Sequence, residues 1–334
     1  MNCPADSHGT VTPCAIRTIH VICEICGLKK RCPERIDIMK EIVVISGKGG
    51  TGKTSIVASF ATLAGKKVLA DCDVDAADLH LVLNPKIEHR EDFSGGKKAR
   101  ILEDDCIACD RCIEECRFDA IDYPVSSNGT TADTPYINPI FCEGCGVCVR
   151  VCPVDAISFE PAVNGESYIS STNYGPMVHA RLGMAEGNSG KLVTQIRQKA
   201  RDIAERENLD YIIVDGSPGI GCPVIASITG SDLVLVVTEP TLSGQHDLLR
   251  VAELTSHFRI PTIVCVNKWD LNPEITEQIE GEAKEHGVKA AGRIRYDNAI
   301  TKAQIMKTSV VEYTGGAVSE DIKSLWRNVI YSLG

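Results

Sequence analysis

The segment from Gly47 to Thr54 could bind the phosphates of a nucleotide. It reads Gly-Lys-Gly-Gly-Thr-Gly-Lys-Thr and fits the pattern G-x-x-x-x-G-K-[S/T]. Such glycines let backbone N–H groups turn inward around phosphate oxygens, and a helix beginning at Lys53 would add positive potential there. We expect Lys53 to reach the β- and γ-phosphates and the Thr54 hydroxyl to bind Mg²⁺. The expected nucleotide-binding residues of this loop are Gly47, Lys48, Gly49, Gly50, Thr51, Gly52, Lys53, Thr54 and Ser55.

Eight cysteines in two matching runs could bind iron. The runs are Cys106-x2-Cys109-x2-Cys112-x3-Cys116 and, 36 positions later, Cys142-x2-Cys145-x2-Cys148-x3-Cys152-Pro153. They resemble the runs of bacterial ferredoxins with two 4Fe–4S clusters, in which the fourth cysteine of each run ligates the other cluster. We therefore assign one cluster to Cys106, Cys109, Cys112 and Cys152, and the other to Cys142, Cys145, Cys148 and Cys116. A single C-x2-C pair also suits a zinc knuckle, but two full runs in register favour iron–sulfur clusters.

Polar side chains follow three apolar segments that are predicted as strands. Asp71-Cys-Asp-Val-Asp75 follows the first, Asp215 ends the second and Asn267 ends the third. Ligands of parallel α/β sheets bind outside the carboxyl ends of the strands. We therefore expect Asp73, Asp215 and Asn267 to lie near the phosphate loop.

The elements that position these residues are predicted as alternating strands and helices. Apolar runs predict strands, and amphipathic periodicity predicts helices. The predicted strands are 41–46, 67–70, 211–214, 233–237 and 262–266, and the predicted helices are 53–64, 191–207, 243–257 and 274–285. This alternation is typical of an α/β fold, here a mostly parallel P-loop NTPase sheet with helices on both faces.

The two cysteine runs interrupt this alternation and predict an inserted α+β domain like a bacterial ferredoxin. Cysteines are also frequent before the first predicted strand. The predicted organisation is a Cys-rich N-terminal extension at 1–38, a first part of the P-loop domain at 39–93, the insert at 94–163 and the second part of the P-loop domain at 164–334.

Length and composition exclude several classes of protein. The chain has 334 residues, of which 43% are hydrophobic and 24% charged, and its formal net charge is −10. This acidic balance argues against a nucleic-acid-binding protein, which needs a basic face. No apolar run is long enough to span a membrane, and residues 1–30 lack a recognisable secretory signal. Because iron-ligating thiolates need a reducing compartment, we expect a cytoplasmic protein without nucleic-acid partners or stable membrane insertion.

The phosphate loop, with its early Lys48, resembles that of the MinD/Mrp/nitrogenase-iron-protein class of P-loop ATPases. The whole of residues 39–334 resembles the members of that superfamily that contain an inserted ferredoxin domain. The resemblance implies ATP and Mg²⁺ as ligands and a homodimer in which Lys48 touches the phosphates of the partner subunit. It also implies that Asp73 orients the attacking water, that Asp215 acts on Mg²⁺ through water and that Asn267 reads the adenine. The expected catalytic residues are Lys48, Lys53, Asp73 and Asp215.

Four cysteines near the start of the chain form a less regular group. They are Cys23, Cys26 and Cys32, with Cys14 or Cys3 as the upstream member. The last three have the spacing of the N-terminal cluster motif in the cytosolic iron–sulfur scaffold ATPases, whereas Cys14 lies nearer to Cys23 than in that family. The alternatives are a third cluster, a zinc site and an optional extension that binds no metal.

Three further cysteines lie within the predicted P-loop domain. Cys222 follows Asp215 by seven residues, the separation at which the nitrogenase iron protein has a cluster-ligating cysteine at its dimer interface. The second interface cysteine of that family has no evident counterpart, so we favour a small buried core thiol at Cys222. Cys72 and Cys265 lie in apolar strand contexts and are predicted to be core residues.

Two segments near the end of the chain complete the predictions. Residues 175–191 are expected to form a loop, with His179 and Lys191 as candidates to line the active site; a satisfied or solvated His179 is the alternative. The apolar spacing in residues 322–333 predicts a C-terminal amphipathic helix. Since its basic residues are only Lys323 and Arg327, we expect it to pack on the sheet and not to bind membrane.

Three functions agree with these features. The first is a MgATP-hydrolysing iron–sulfur protein that couples its nucleotide state to electron transfer through two 4Fe–4S clusters, with a redox partner that the sequence does not identify. The second is an ATP-dependent scaffold that passes iron–sulfur clusters to acceptor apo-proteins. The third is a MinD-like regulatory ATPase with redox-sensing clusters. We favour the first.

Overall fold

A nine-stranded sheet dominates the computed structural model, which describes residues 39–125, 129–183 and 189–334. The strands in the described residues are β1 (Lys40–Ser46), β2 (Lys67–Asp71), β3 (Lys86–Phe93), β4 (Gly96–Ile101), β5 (Ile121–Asp122), β6 (Tyr136–Ile137), β7 (Ile157–Ala162), β8 (Gly165–Thr172), β9 (Gly175–Leu182), β10 (Tyr211–Pro218), β11 (Leu233–Thr238), β12 (Thr262–Asn267) and β13 (Lys289–Ile294). The sheet order is β13-β12-β11-β1-β10-β2-β9-β8-β3. The strands from β13 to β9 are parallel, and β8 runs antiparallel to both of its neighbours.

Helices cover both faces of this sheet. The helices of the described residues are α1 (Lys53–Leu63), α2 (Leu79–Leu83), α3 (Arg111–Glu114), α4 (Val147–Val151), α5 (Ser189–Glu207), α6 (Cys222–Ile228), α7 (Leu242–His257), α8 (Pro273–Glu285), α9 (Ala299–Ile305), α10 (Val310–Tyr313) and α11 (Ala317–Ser332), with a 3₁₀ turn at Trp269–Leu271. All of them except α3 and α4 belong to the large sheet's layers. One buried core lies under α5, α6, α7 and α8. A second core lies under α1, α2, α9, α10 and α11. The predicted α/β fold with a large, mostly parallel sheet is therefore confirmed.

The central strands form because both of their faces are buried. In β1, Ile42, Val43, Val44 and Ile45 have no exposed surface, as expected for a strand of a parallel sheet that is covered on both sides. The C-terminal helix α11 buries Ile322, Leu325 and Val329 in the second core, so its predicted packing on the sheet is confirmed. None of the helices in the described ranges has the length and apolarity needed to cross a membrane.

The predicted loop at residues 175–191 is wrong. Residues Gly175–Leu182 form β9, which pairs with β2 on one side and with β8 on the other, and α5 already begins at Ser189. Gly175 and Pro176 at the start of β9 are residue types typical of turns, so the sequence does not indicate a strand there. Its apolar residues Met177 and Val178 are nevertheless fully buried, and the sheet pairing decides the conformation.

The chain leaves the nine-stranded sheet after β3 and returns to it at β8. Between them, β4 pairs with β7 and β5 pairs with β6, both antiparallel, and the short helices α3 and α4 accompany them. A small core of its own holds this part together. The N-terminal group Cys14, Cys23, Cys26 and Cys32 lies outside the described residues, so its metal content stays a prediction.

Candidate functional site

The phosphate loop joins the end of β1 to α1 and borders a cavity of about 640 Å³. This volume lies within the range of small-molecule sites. Besides Ser46 and the loop from Gly49 to Ser55, the lining residues are Asp73, Ala76, Asp78, Leu81, Val82, Pro218, Gln304 and Ile305. Gly47 and Lys48 are not among the lining residues.

Lys53 is paired with two buried carboxylates at the base of this cavity. Its Nζ donates to Asp215 Oδ1 at 2.5 Å and to Asp73 Oδ2 at 3.2 Å. Burial alone lowers the pKa of Lys53, but the charges of Asp215 and Asp73 outweigh it, so the pKa of the ammonium is raised. Burial also raises the pKa of Asp73, although Lys53 opposes the rise. The structure thus brings together three of the four residues that were predicted to be catalytic.

Asp71 is fully buried and fixes the chain that follows β2. Its Oδ1 accepts from Asp73 N at 3.2 Å and its Oδ2 accepts from Leu79 N at 3.3 Å. Burial and the nearby charge of Asp215 raise the pKa of Asp71 well above its usual value. Asp71 therefore positions the Asp73 segment and the start of α2, while Asp73 faces the cavity.

The donor atoms around the loop suit a magnesium–nucleotide complex. The buried atoms Asp215 Oδ2 and Thr51 Oγ1 have no hydrogen-bond partner in the protein. Buried polar atoms are nearly always satisfied, so such orphans indicate ligand or water contacts. Thr54, the expected Mg²⁺ ligand, lines the same cavity.

Lys48 points away from the cavity, toward the start of α7. Its Nζ lies 3.2 Å from Ser243 Oγ, 3.5 Å from Thr241 Oγ1 and 3.6 Å from Glu239 Oε2. The side chain is 35% exposed, and these contacts are within its own chain. Its predicted contact with a partner's phosphates stays a prediction, and it requires the side chain to leave Glu239.

Asn267 is buried beneath the phosphate loop. Its Nδ2 donates to Thr51 O at 2.7 Å, and its Oδ1 accepts from Lys268 N at 3.0 Å. Gly52, in the left-handed region at φ 87°, passes so close that an added Cβ would lie 2.5 Å from Asn267 Nδ2. In this arrangement Asn267 supports the loop, and its role in reading adenine stays a prediction.

Two smaller cavities gather the eight cysteines of the two runs. The Cys106 cavity is lined by Cys106, Cys109, Cys112 and Cys152, and the Cys142 cavity is lined by Cys116, Cys142, Cys145 and Cys148. Each cavity thus combines three cysteines of one run with the last cysteine of the other. This is the grouping assigned from the spacing. Burial raises the pKa of the Cys148 thiol to about 11, so metal binding there must displace a proton.

The two cysteine runs repeat in backbone conformation as well as in sequence. Residues in the left-handed region recur 36 positions apart, as Ala108 and Gly144, Asp110 and Gly146, and Asp119 and Asp155. The helices α3 and α4 also begin 36 positions apart. The two cavities are therefore bounded by loops of matching conformation.

The described residues hold no preformed site for a single metal ion. Among the described residues, no three His, Cys, Asp or Glu side chains converge as the ligands of one metal ion would. The thiolates of a 4Fe–4S cubane each bind a different iron, so they surround a volume and need not converge on a point. The grouping into two sets of four suits that requirement, and iron–sulfur binding stays a prediction.

The structure also tests the predictions for five other side chains. Cys222 is exposed at the start of α6, so the predicted buried thiol is wrong there, while Cys72 and Cys265 are buried as predicted. His179 bonds to Ser170 at 2.9 Å, and it does not line the nucleotide cavity. Lys191 does not line it either. Its Nζ donates to the carbonyls of Ser94 and Gly95. These residues begin the cysteine-bearing excursion, which is the segment 94–164 between β3 and β8.

Sequence reasoning missed the cavity wall formed by α2 and α9. Gln304 Nε2 donates to Ser55 Oγ at 2.8 Å, and its neighbour Ile305 lines the cavity, as do Leu81 and Val82 of α2. No local pattern marks Gln304, because it lies far along the chain from the loop that it contacts. The Asp73 segment, by contrast, could have suggested Ala76 and Asp78 by proximity.

Residues 42–310 match the family model described as the CobQ/CobB/MinD/ParA nucleotide binding domain. This match spans more than half of the chain. The chain belongs to this family of P-loop ATPases. The predicted MinD-type ATPase is thereby confirmed, whereas the inserted ferredoxin domain stays a prediction.

Two proteins of Methanocaldococcus jannaschii are similar in sequence to this chain. An uncharacterized protein of Methanocaldococcus jannaschii is 38% identical over 247 residues, covering 71% of this chain and 81% of that protein. A second uncharacterized protein of the same organism is 26% identical over 263 residues, covering 70% of this chain and 82% of its own length.

Two solved MinD structures share the fold of this family member. The cell division ATPase MinD of Pyrococcus furiosus aligns with a TM-score of 0.52 at 17% identity, covering 88% of this chain and 99% of that one. The septum site-determining protein MinD of Pyrococcus horikoshii, complexed with Mg-ADP, aligns with a TM-score of 0.52 at 16% identity, covering 87% and 96%. At these identities the likeness concerns the fold alone.

Proposed function

We propose that this chain is a homodimeric MgATP hydrolase that couples its nucleotide state to electron transfer through two 4Fe–4S clusters. The observation that carries the proposal is the grouping of eight thiols into two sets of four. The excursion that holds them begins after α2 and β3, and α2 supplies Leu81 and Val82 to the nucleotide cavity. Nucleotide and cysteine sites are thus neighbours along the chain.

ATP hydrolysis would use the side chains at the base of the nucleotide cavity. Lys53 exchanges its contacts with Asp73 and Asp215 for phosphate oxygens, which leaves both carboxylates available. Asp73 then orients a water toward the γ-phosphorus, the bond to the β–γ bridging oxygen breaks, and ADP and phosphate form. Thr54 and, through water, Asp215 would hold the Mg²⁺, which neutralises phosphate charge when bound. The P. horikoshii MinD complexed with Mg-ADP supports this choice of ligand.

The cysteine sets would each hold one cluster. Cys106, Cys109, Cys112 and Cys152 would ligate the first, and Cys142, Cys145, Cys148 and Cys116 the second. Each cluster supplies one-electron chemistry when bound. The chain's part is to keep the two sites adjacent, since each run gives its last cysteine to the other site.

Two lysine variants test the ATPase part of the proposal. Lys53→Ala removes the charge that faces the phosphates, so ATP binding measured by calorimetry should disappear. Lys48→Ala should bind ATP within about threefold of the unchanged protein but lose hydrolysis, since Lys48 is proposed to act across the dimer. ATPase activity retained by Lys53→Ala would contradict the proposal.

Iron and sulfide content tests the cluster part. Anaerobically purified protein should carry about eight irons per chain if the two cysteine sets bind clusters, and about twelve if the N-terminal cysteines bind a third. Cys109→Ser should lower the iron content. Cys222→Ser is the matched control, because Cys222 is an exposed thiol outside both sets, and its iron content should be unchanged.

The exposure of Cys222 favours a second candidate, an ATP-dependent cluster scaffold. An exposed thiol at the start of α6 could hold a transferable cluster, which a buried thiol could not. In that case ATP would promote passage of iron and sulfide to an apo-ferredoxin while the eight-cysteine iron stays in place. Loss of this transfer in Cys222→Ser would favour the scaffold over electron transfer.

A further inference from the structure

The two cysteine cavities lie at different positions along the β4–β7 ribbon. The ribbon begins at the pair Gly96–Ala162, two to three residues from the strands β3 and β8 of the large sheet, and it ends at the pair Ile101–Ile157. The Cys106 cavity is lined by Ile101 and Ile157 at the far end. The Cys142 cavity lies closer to the start of the ribbon, because it is lined by Ala99 and the backbone of Gly144 abuts Lys97 O.

The Cys106 cavity is therefore the outer one. Ala99 and Ile101, which line the two cavities, are two residues apart along β4, a separation of about 7 Å. The thiol of Cys109 at this cavity is exposed, as is that of Cys145 at the other.

Apolar side chains surround the outer cavity and remain exposed. Ile107 is 60% exposed and Val154 is 41% exposed, and both line the cavity. Leu102, next to them in the chain, is 39% exposed. Apolar side chains grouped around a cavity and bordered by charge are typical of interaction surfaces.

The border of this apolar group is acidic. Glu103, Asp104 and Asp105 are all exposed and lead directly into Cys106, and Asp110 lines the cavity together with the basic Arg111. The near end of the ribbon differs, since β4 carries Lys97 and Lys98 beside the Cys142 cavity. Lys97 Nζ lies 5.4 Å from the centroid of the Phe159 ring. Glu115 and Glu143 line the Cys142 cavity and are also exposed, so the outer end differs only in its uninterrupted acidic run Glu103–Asp105, which has no lysine beside it.

We infer that the outer end of the ribbon, around Ile107, Val154 and Glu103–Asp105, is the docking surface for a basic, one-electron carrier protein. The inference rests on the proposed electron-transfer function and adds the kind of partner. A small apolar centre with a charged border suits a transient redox encounter, in which complementary charge speeds association. One electron passes between the carrier and the adjacent cluster: one centre is oxidised by one electron and the other is reduced by one, with no bond broken and no proton moved.

Binding to a basic haem protein tests the surface. Ferric cytochrome c serves as the probe, and its affinity for the oxidised full-length protein is measured by calorimetry at low and high salt. Glu103→Lys/Asp104→Lys should weaken binding about tenfold at low salt, and the difference should shrink at high salt. The matched control is Glu274→Lys/Glu277→Lys on α8, which makes the same change of net charge on exposed residues elsewhere and should stay within about twofold of the unchanged protein.

Equal weakening by both double variants would overturn the docking surface, because net charge alone would then explain the effect. Equal binding of an acidic probe, flavodoxin, would overturn it too. If Glu103→Lys/Asp104→Lys loses iron, Ile107→Ser takes its place and should weaken binding at both salt concentrations. Protein that binds cytochrome c at this surface but carries no reducible iron would contradict the proposed function while supporting the surface.

Discussion

At the scale of single residues, Asn267 links the end of β12 to the phosphate loop. Asn267→Ala removes the donor to Thr51 O and leaves that carbonyl buried without its partner. The free energy of unfolding should fall by about 1–3 kcal/mol, even in protein to which no nucleotide is added. Urea unfolding measures this loss.

The matched control is Asn298→Ala. Among the described residues, the Asn298 side chain contacts only the exposed Tyr296 hydroxyl, so its loss should cost less than about 0.5 kcal/mol. If Asn267→Ala were as stable as this control and only bound ATP more weakly, Asn267 would read the base and not support the loop.

His179 predicts a pH dependence of stability. Burial, followed by the charge of His80, lowers the pKa of His179 to about 4, below the value of about 6.5 in an unfolded chain. The folded state therefore disfavours the protonated ring. Its stabilising effect is fully present above about pH 6.5, and it is lost as the pH falls toward 4, by up to about 3 kcal/mol.

Urea unfolding at pH 7.5 and at pH 5, values chosen on either side of about 6.5, measures this effect. His179→Asn should lose less stability between the two pH values than the unchanged protein. His257→Asn, which replaces an exposed histidine, should leave the pH dependence unaltered. Parallel pH profiles for the unchanged protein and His179→Asn would show that another group controls the dependence.

Residues that belong to a contiguous motif could be predicted from the sequence. The loop from Gly49 to Thr54 borders the cavity because its own neighbours in the chain dictate the turn. Asp73 and Asp215 were found because each follows a strand, and strand ends meet at one edge of a parallel sheet. Gln304 and the exposure of Cys222 depend on how distant helices pack, and a single sequence does not encode that packing in any local pattern.

At the scale of elements, the loops of the two cysteine runs match in conformation but not in surroundings. Gly144 has φ 64° and its counterpart Ala108 has φ 49°, so an alanine can adopt this conformation. A Cβ on Gly144, however, would lie 2.1 Å from Lys97 O. Gly144→Ala should therefore push β4 away from the Cys142 loop and cost about 1–3 kcal/mol locally.

Thiol labelling measures the consequence of Gly144→Ala. Cys142 and Cys145 in iron-free protein should react faster, while ATP binding stays unchanged because the nucleotide cavity is formed by other elements. Gly129→Ala is the matched control, since Gly129 also has a positive φ of 83° but open space around it. Equal labelling rates in the two variants would show that φ strain, and not the contact with Lys97, limits this position.

Strands were predicted correctly where a continuous apolar run in the sequence coincides with burial on both faces of the sheet. The parallel strands β1, β10, β11 and β12 are continuous apolar runs, and each was predicted within a few residues. The edge strand β3 and its neighbour β8 escaped prediction. β3 is exposed from Lys86 to Asp92 and is mostly polar, so its pairing with β8 makes it a strand.

At the scale of the whole molecule, the cysteine-bearing excursion is fastened to the large sheet by specific contacts. Asn164 Oδ1 accepts from Gly95 N at 2.9 Å and from Gly96 N at 3.2 Å. Lys191, on the first turn of α5, donates to the carbonyls of Ser94 and Gly95. These hydrogen bonds form a short joint between the large sheet and the ribbon, made of Ser94, Gly95, Gly96, Asn164 and Lys191. A displacement of the sheet edge would therefore reach the ribbon through this joint.

Two elements at the nucleotide cavity lead to this joint. Pro218 lines the cavity, and the chain runs from it into α6, where Cys222 lies against Gly190 of α5, the neighbour of Lys191. On the other side, α2 follows Asp73, and its His80 stacks on His179 of β9 with the ring centroids 6.2 Å apart. If either element moves on nucleotide binding, these packing contacts transmit the motion to the cysteine-bearing excursion.

We therefore expect MgATP to alter the cysteine sites. The EPR spectra and reduction potentials of the iron-loaded protein should differ with and without MgATP, because the contacts at the joint change the environment of the ribbon. Lys53→Ala should abolish the difference by preventing ATP binding. Lys191→Ala should bind ATP normally and still reduce the difference, since Lys191 touches the joint and not the nucleotide cavity. Identical spectra and potentials in both conditions would show that the two sites share a chain without being coupled.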